Sequence, residues 1–441
     1  MNHLRDSSAD FDVIASIPAG PIPANIDKKW ILITSSCALL TIFGFALISS
    51  GAVRYKSVQS SVITILLGSV LSILFFWFLG YGFAFGDDYG NKFVGLSKFA
   101  GSGYQIELVE DDYTNFIFQT VGVIIVASLY GLGTLERSRF FSIGLCLAFI
   151  TSFLYPIALH WVQPKGWLGA FGFVDFAGSS YIHFFGGITA LVISFFLKER
   201  GDQTGNMHPS TFPHHSPINI GYGSIILTIA IILFVNCANP QGQYDKYEQG
   251  LIAVNTVVAS TFSAITSFCL QYQKTYQISL IALTQGSVTG IVAISSMAND
   301  VRISGSAFTG VLAGIIYVNL TIIIKRSRID DPAQTIATHM GPGLLGTILV
   351  GFLSITKGLM TGHGAKQLGL QIVGILVLII WGLLVAISIF SLKSVGLLKI
   401  NPFQEQQGID ISYAEGEAIQ FLDEQQEPTL FSISPKKGIF K

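Results

Sequence analysis

Asp175-Phe176-Ala177-Gly178-Ser179-Ser180-Tyr181-Ile182-His183, continued by Phe184-Phe185-Gly186-Gly187 and an apolar run to Leu197, puts an acid and an imidazole at the head of a membrane-length segment. Ionisable groups there are costly to desolvate, which makes them functional candidates by default. The spacing 183 − 175 is eight residues, about 12 Å along a helix axis at roughly 1.5 Å per residue. An acid at the mouth and a buried imidazole below it outline a path across a bilayer.

The surrounding chain fits such a setting. Of 441 residues, 51% are hydrophobic and 12% charged, against about 25% charged in soluble domains. A net charge of −1 offers no electrostatic footprint for nucleic acid. Residues 1–29 contain no long apolar stretch, so no cleaved secretory signal is read there. Cys37, Cys146, Cys237 and Cys269 sit in apolar runs without a CxxC pair, which reads as packing.

A span takes about 20 apolar residues. Eleven are read, at 30–53, 61–86, 113–134, 140–161, 177–197, 219–238, 250–271, 277–298, 304–324, 336–356 and 371–396. The expected fold is an all-α polytopic membrane protein with termini on opposite sides. With the N-terminus outside, inner loops hold ten basic residues (among them Arg54, Lys56, Arg137, Arg139 and Arg200) and outer loops seven. The bias predicts N-out and C-in. The division is an extracytoplasmic 1–29, a membrane domain 30–396 and a cytosolic tail 397–441.

Eleven spans divide as five, five and one. Halves at about 30–200 and 219–356 are then inverted in topology, with 371–396 left over as a last helix. His183 and His339 fall on the fifth and tenth spans, at matching places. Inverted repeats set sites near the midplane, between the halves. Gly186, Gly187, Gly341, Gly343 and Gly346 permit close helix approach there. A lone membrane histidine is more often a structural hydrogen bonder, but one per half points to a neutral pair facing a lumen. Asp175 has a plain reading as a helix cap, beside recruitment of a cation. The connector 201–218 carries His208, His214 and His215, but its prolines and lack of cysteine argue against a metal site. No nucleophile–base set or phosphate loop suggests an enzyme, and no cofactor is implied.

Taken in order, these residues resemble the ammonium transporter family (Amt/Mep/Rh). Its DFAG-x4-H signature is matched by Asp175-Phe176-Ala177-Gly178 and His183. Further likenesses are Gly44-Phe45-Ala46-Leu47, Gly80-Tyr81-Gly82-Phe83, Phe118-Gln119 with Leu135-Glu136-Arg137, Asn255-Thr256, Asp330-Asp331-Pro332 with His339, and Gly408-Ile409-Asp410 in the tail. The resemblance implies eleven helices in a plasma-membrane homotrimer, with one pore per subunit. It implies a twin-histidine centre at His183 and His339, and help from Asp175 in attracting ammonium. Ammonium would lose a proton at the outer side, and ammonia would pass a hydrophobic lumen.

The departures lie outside the lumen. The family's recruitment Trp falls at Gln163, and its F-N-A-G-S motif reads Val235-Asn236-Cys237-Ala238-Asn239. The two gate phenylalanines map to Gly122 and Val235, while Phe118 is kept. Trp161 and Trp167 are candidate substitutes, and Ala414 stands where the family tail has His. The expectation is ammonium/ammonia transport of lower affinity through a more open mouth. The alternatives are an ammonium sensor with little flux that engages a cytosolic regulator through its tail, and an Rh-like channel for ammonia or carbon dioxide.

Overall fold

A computed structural model describes residues 24–105, 112–200, 214–238, 246–327 and 329–413. Those residues are helical, apart from connections and an isolated bridge between Ser138 and Lys399. Among the described residues ten helices are long and apolar enough to span a membrane: α1 Lys28–Ala52, α2 Tyr55–Phe85, α3 Asp112–Thr134, α4 Phe140–Ala170, α5 Ser179–Leu197, α6 Pro217–Cys237, α7 Gln249–Thr275, α9 Ile303–Arg326, α10 Ile336–Leu353 and α11 Lys366–Ser394. The expected eighth span appears as α8, Leu280–Ile294, an apolar helix of 15 residues that is shorter than a full crossing. Ser295 and Ser296 end α8 early, and their carbonyls accept from Ala177 N at 2.8 Å and Phe176 N at 3.0 Å.

Helices α3 and α5 are the inner staves of the bundle, with 89% and 83% of their apolar windows buried, whereas α2 and α11 bury a third. A helix apolar all round belongs either in a core or against lipid. The exposed leucines and phenylalanines of α2 and α11 face outward, as lipid contact requires.

Helices α5 and α10 run in opposite directions. Arg200, just after α5, meets Asp330, just before α10, through Nε to Oδ2 at 2.7 Å and Nη2 to Oδ1 at 3.1 Å. Glu136 joins this fork, taking Arg200 Nη1 at 3.3 Å and Arg54 Nε at 2.6 Å. Buried Arg137 lies 3.8 Å from Asp330 and donates to the carbonyls of Gly133 and Lys198. Burial works against the charge of Asp330, but Arg137 and Arg200 outweigh it and hold its carboxyl below the ordinary range. The chain after α11 returns to this end. Ile400 N donates to Arg137 O, and the Asp410 carboxylate caps α2 at Gln59 N and Ser60 N. Ala414 and the rest of the tail lie outside the described residues.

Candidate functional site: a buried histidine pair

His183 and His339 meet. Their Nδ1 atoms are 3.2 Å apart, with ring centroids at 5.2 Å and planes 26° apart. Both side chains are buried, at 0% and 2% exposure. Each sits in one turn of π-helix, Ser179–Phe184 and Ile336–Met340. Such turns insert an extra residue and re-aim side chains, often at functional positions. Glycine makes the crossing close enough. A β-carbon on Gly187 would lie 2.5 Å from Met340 Cβ, and one on Gly343 2.5 Å from the Ser179 carbonyl.

At 3.2 Å only one of the two Nδ1 atoms can carry the shared proton, so one ring donates and the other accepts. Two protonated rings would confront two N–H groups with no acceptor between them. His183 Nε2 is buried and has no hydrogen-bond partner among the described residues. His339 lines a small cavity with Phe45, Ser224, Leu227, Gln285 and Thr338. The pair can therefore share one hydrogen bond between its rings, and the His339 ring also packs on Phe45 at 5.9 Å.

Asp175 caps the first π-turn. Its Oδ1 accepts from Gly178 N at 2.8 Å and Ser179 N at 3.1 Å, and its Oδ2 from Ser180 N at 2.6 Å and from the Ser180 hydroxyl. Asp175 is 8% exposed, and its hydrogen-bonding capacity is spent largely on backbone. At the other end of the bundle Asp331 does the same for α10, taking Thr335 N at 2.9 Å and Ile336 N at 2.8 Å.

Where the sequence suggests a more open mouth, an aromatic pair packs between α3 and α6. Phe118 stacks on Phe234, with centroids 4.7 Å apart and planes 12° from parallel. The ring comes from the residue before Val235, and one residue turns a helical side chain by about 100°. Val235 is fully buried. Space near Gly122 is filled instead by α4 and α5: a β-carbon there would lie 2.7 Å from the Tyr155 hydroxyl and 3.1 Å from Ile182 Cδ1. Neither Tyr155 nor Phe234 was singled out from the sequence. An aromatic at a neighbouring position on the same turn was the available signal for Phe234.

Gln163 ends the long part of α4, where the backbone turns extended. Asn239 lies outside the described residues. Trp161 donates Nε1 to Phe93 O at 2.8 Å and packs on Trp381 at 4.6 Å, while Trp167 stacks on Phe93 at 5.9 Å. Both indoles are thus engaged in holding the 86–97 loop. Among the described residues no three His, Cys, Asp or Glu gather as metal ligands would.

A helical membrane bundle in which α5 and α10 bring a histidine each to one buried contact has the architecture of a polytopic transport-type protein. The Ammonium Transporter Family profile matches residues 29–418, and the chain belongs to that family. It is 28% identical to the putative ammonium transporter 1 of Caenorhabditis elegans, over 85% of this chain and 76% of that protein. It is 26% identical to ammonium transporter 1 member 3 of Solanum lycopersicum, over 92% and 96%. A solved structure titled "Sensor Amt Protein" superposes with a TM-score of 0.81 at 26% identity, over 89% of this chain and 98% of that one.

Proposed function

We propose that this member of the family conducts ammonium/ammonia through a lumen centred on His183 and His339. The observation that carries the reading is the buried 3.2 Å contact between the two Nδ1 atoms. Moving ammonium into an apolar passage costs far more than moving ammonia, because an unpaired charge loses its hydration. The proton is therefore left on the outer side of the pair. Potassium and sodium have no proton to lose and stay excluded. In this reading eleven spans, α8 among them, run N-out and C-in, in a homotrimer at the plasma membrane. Segments 1–29 and 397–441 flank the membrane domain on opposite sides, and the tail is where a cytosolic regulator would bind.

Asp175, Phe118, Gln163, Val235, Gly122 and Asn239 line or shape the outer approach. With Trp and Phe replaced at Gln163 and Val235, a cation–π contact of about 0.5–2 kcal/mol is missing, and affinity for the cation is lower. The test is uptake of methylammonium or ammonium by liposomes carrying the purified protein. Flux above lipid background that changes in His183→Ala and His339→Ala supports the reading.

A second reading is a sensor with little flux. The Phe118–Phe234 stack across the outer mouth and the likeness to the structure titled "Sensor Amt Protein" favour it. No flux, together with ammonium-dependent binding of a partner to the tail, would select it over transport.

A further inference from the structure

The last helix has no counterpart in the two halves, yet it grips the segment that leads into α5. Gln371 on α11 is fully buried. Its Oε1 accepts from Val174 N at 3.0 Å and from Gln367 Nε2 at 3.0 Å. Its Nε2 donates to Val174 O at 2.8 Å and to Thr347 O, in α10, at 3.0 Å. Two donors and two acceptor positions are all that a glutamine amide offers, and each is used. Gln367, one turn earlier, donates to Gly172 O at 3.0 Å. Gly374, one turn later, makes room for Phe173: a β-carbon there would lie 2.2 Å from the ring. Three successive residues, Gly172, Phe173 and Val174, are thus seated on three successive turns of one face of α11.

Val174 is bonded to Asp175, whose carboxylate caps the turn that carries His183. On the opposite side the same segment is tied to α8. Phe176 N and Ala177 N bind the Ser296 and Ser295 carbonyls, and Ser179 Oγ donates to Val292 O at 2.7 Å. Residues 172–178 form neither helix nor strand. Their position is set by what holds them from the two sides.

We propose that Gln371 is a positioning residue of the outer mouth: it fixes Val174, and through it the Asp175 cap and the His183 turn, relative to α10. Ordinary helix glue would join one helix to another. Gln371 instead takes both backbone groups of a single non-helical residue, the geometry of a strand partner, and adds a third bond to the helix that bears His339. The functional part of this proposal rests on the transport reading above. The clamp itself does not.

The experiment uses full-length protein and two variants, Gln371→Leu and the milder Gln367→Met, with Ile372→Ala on the exposed face of α11 as control. Hydrogen exchange is followed by mass spectrometry, and methylammonium uptake is measured in liposomes per folded chain. The expected result is faster exchange confined to peptides covering 172–183. With it, KM rises by about tenfold for Gln371→Leu, which is about 1.4 kcal/mol, while the maximal rate stays within about twofold, the pattern of weakened substrate binding at a displaced mouth. Uniformly faster exchange in both variants, or unchanged exchange at 172–183, overturns the proposal. So does local exchange with an unchanged KM. Should Gln371→Leu fail to fold, Gln367→Met decides by the same two readings. If the wild type carries no flux, the transport reading has failed, and local exchange still decides the clamp.

Discussion

Asp175 and Asp331 stand in the same relation to the two histidines. Each lies eight residues before its histidine, each caps the start of a histidine-bearing helix, and each is followed three residues later by a left-handed backbone. That residue is Gly178 at φ 93° in one half and Gln334 at φ 57° in the other. Because α5 and α10 run oppositely, one acid lies at each end of the bundle. Replacing either acid by alanine leaves buried N–H groups unpaired, and removing a cap costs about 0.5–2 kcal/mol. Asp175→Ala and Asp331→Ala are both expected to lower the melting temperature of the detergent-solubilised protein. Asp175→Asn, which keeps an acceptor, should lower it less.

The Phe118–Phe234 stack yields a test of the proposed mouth. In the transport reading, removing one ring from the parallel Phe118–Phe234 pair takes away an obstruction along with the aromatic face. Phe234→Ala should raise the uptake rate at saturating methylammonium while weakening apparent affinity. A stopped-flow liposome assay reads both, and an unchanged rate would show that the stack is no barrier.

Gly122 predicts a conflict and its relief. Gly122→Ala forces a methyl group against the Tyr155 hydroxyl, at 2.7 Å before any shift. Overpacking of this kind costs about 1–3 kcal/mol. Uptake and melting temperature should fall, and Gly122→Ala combined with Tyr155→Phe should recover both in part. The double-mutant cycle is the measurement.

The fork between Arg200 and Asp330 is buried on both sides, at 5% and 3% exposure. Asp330→Asn removes the anion that Arg137 and Arg200 share, while Arg200 keeps Glu136. Breaking such a pair from one side costs about 3–5 kcal/mol. The expected outcome is a large loss of thermal stability and of correctly assembled protein, followed by size-exclusion chromatography.

Acidity acts on the neighbouring residue in the opposite sense. Burial pushes the Asp331 carboxyl up to about 6, against the Ile336 and Thr335 N–H groups that favour its charged form. An acid whose folded-state value is raised adds stability that is complete below its unfolded value of about 4 and lost as pH rises through about 6. Between pH 7.5 and 5.5 the melting temperature should therefore rise. In Asp331→Asn this rise should flatten. Further acidification reverses the trend as Asp330, held below its ordinary range, takes up its proton.

Much of this was legible in the chain itself. Runs of about 20 apolar residues mark spans because lipid leaves no other partner for backbone polar groups. Span positions, the acid–histidine spacing at 175 and 183, and the glycines beside both histidines follow from residue type and local order. Family membership follows from motifs in sequence, read over most of the length. These are properties of segments, and a helix expresses them through its own period.

What needed the tertiary structure is each relation across segments. His183 and His339 are 156 residues apart, and only the crossing of α5 with α10 decides that their Nδ1 atoms touch. The aromatic facing Phe118 is Phe234 and not residue 235, because helix rotation and neighbours choose among adjacent side chains. Gln371 reads as an ordinary polar residue in an apolar run until the fold lays it against Val174. Composition and periodicity fix which face of a helix is apolar. Packing alone fixes which atoms of two distant faces lie within 3 Å, since that depends on every helix seated between them.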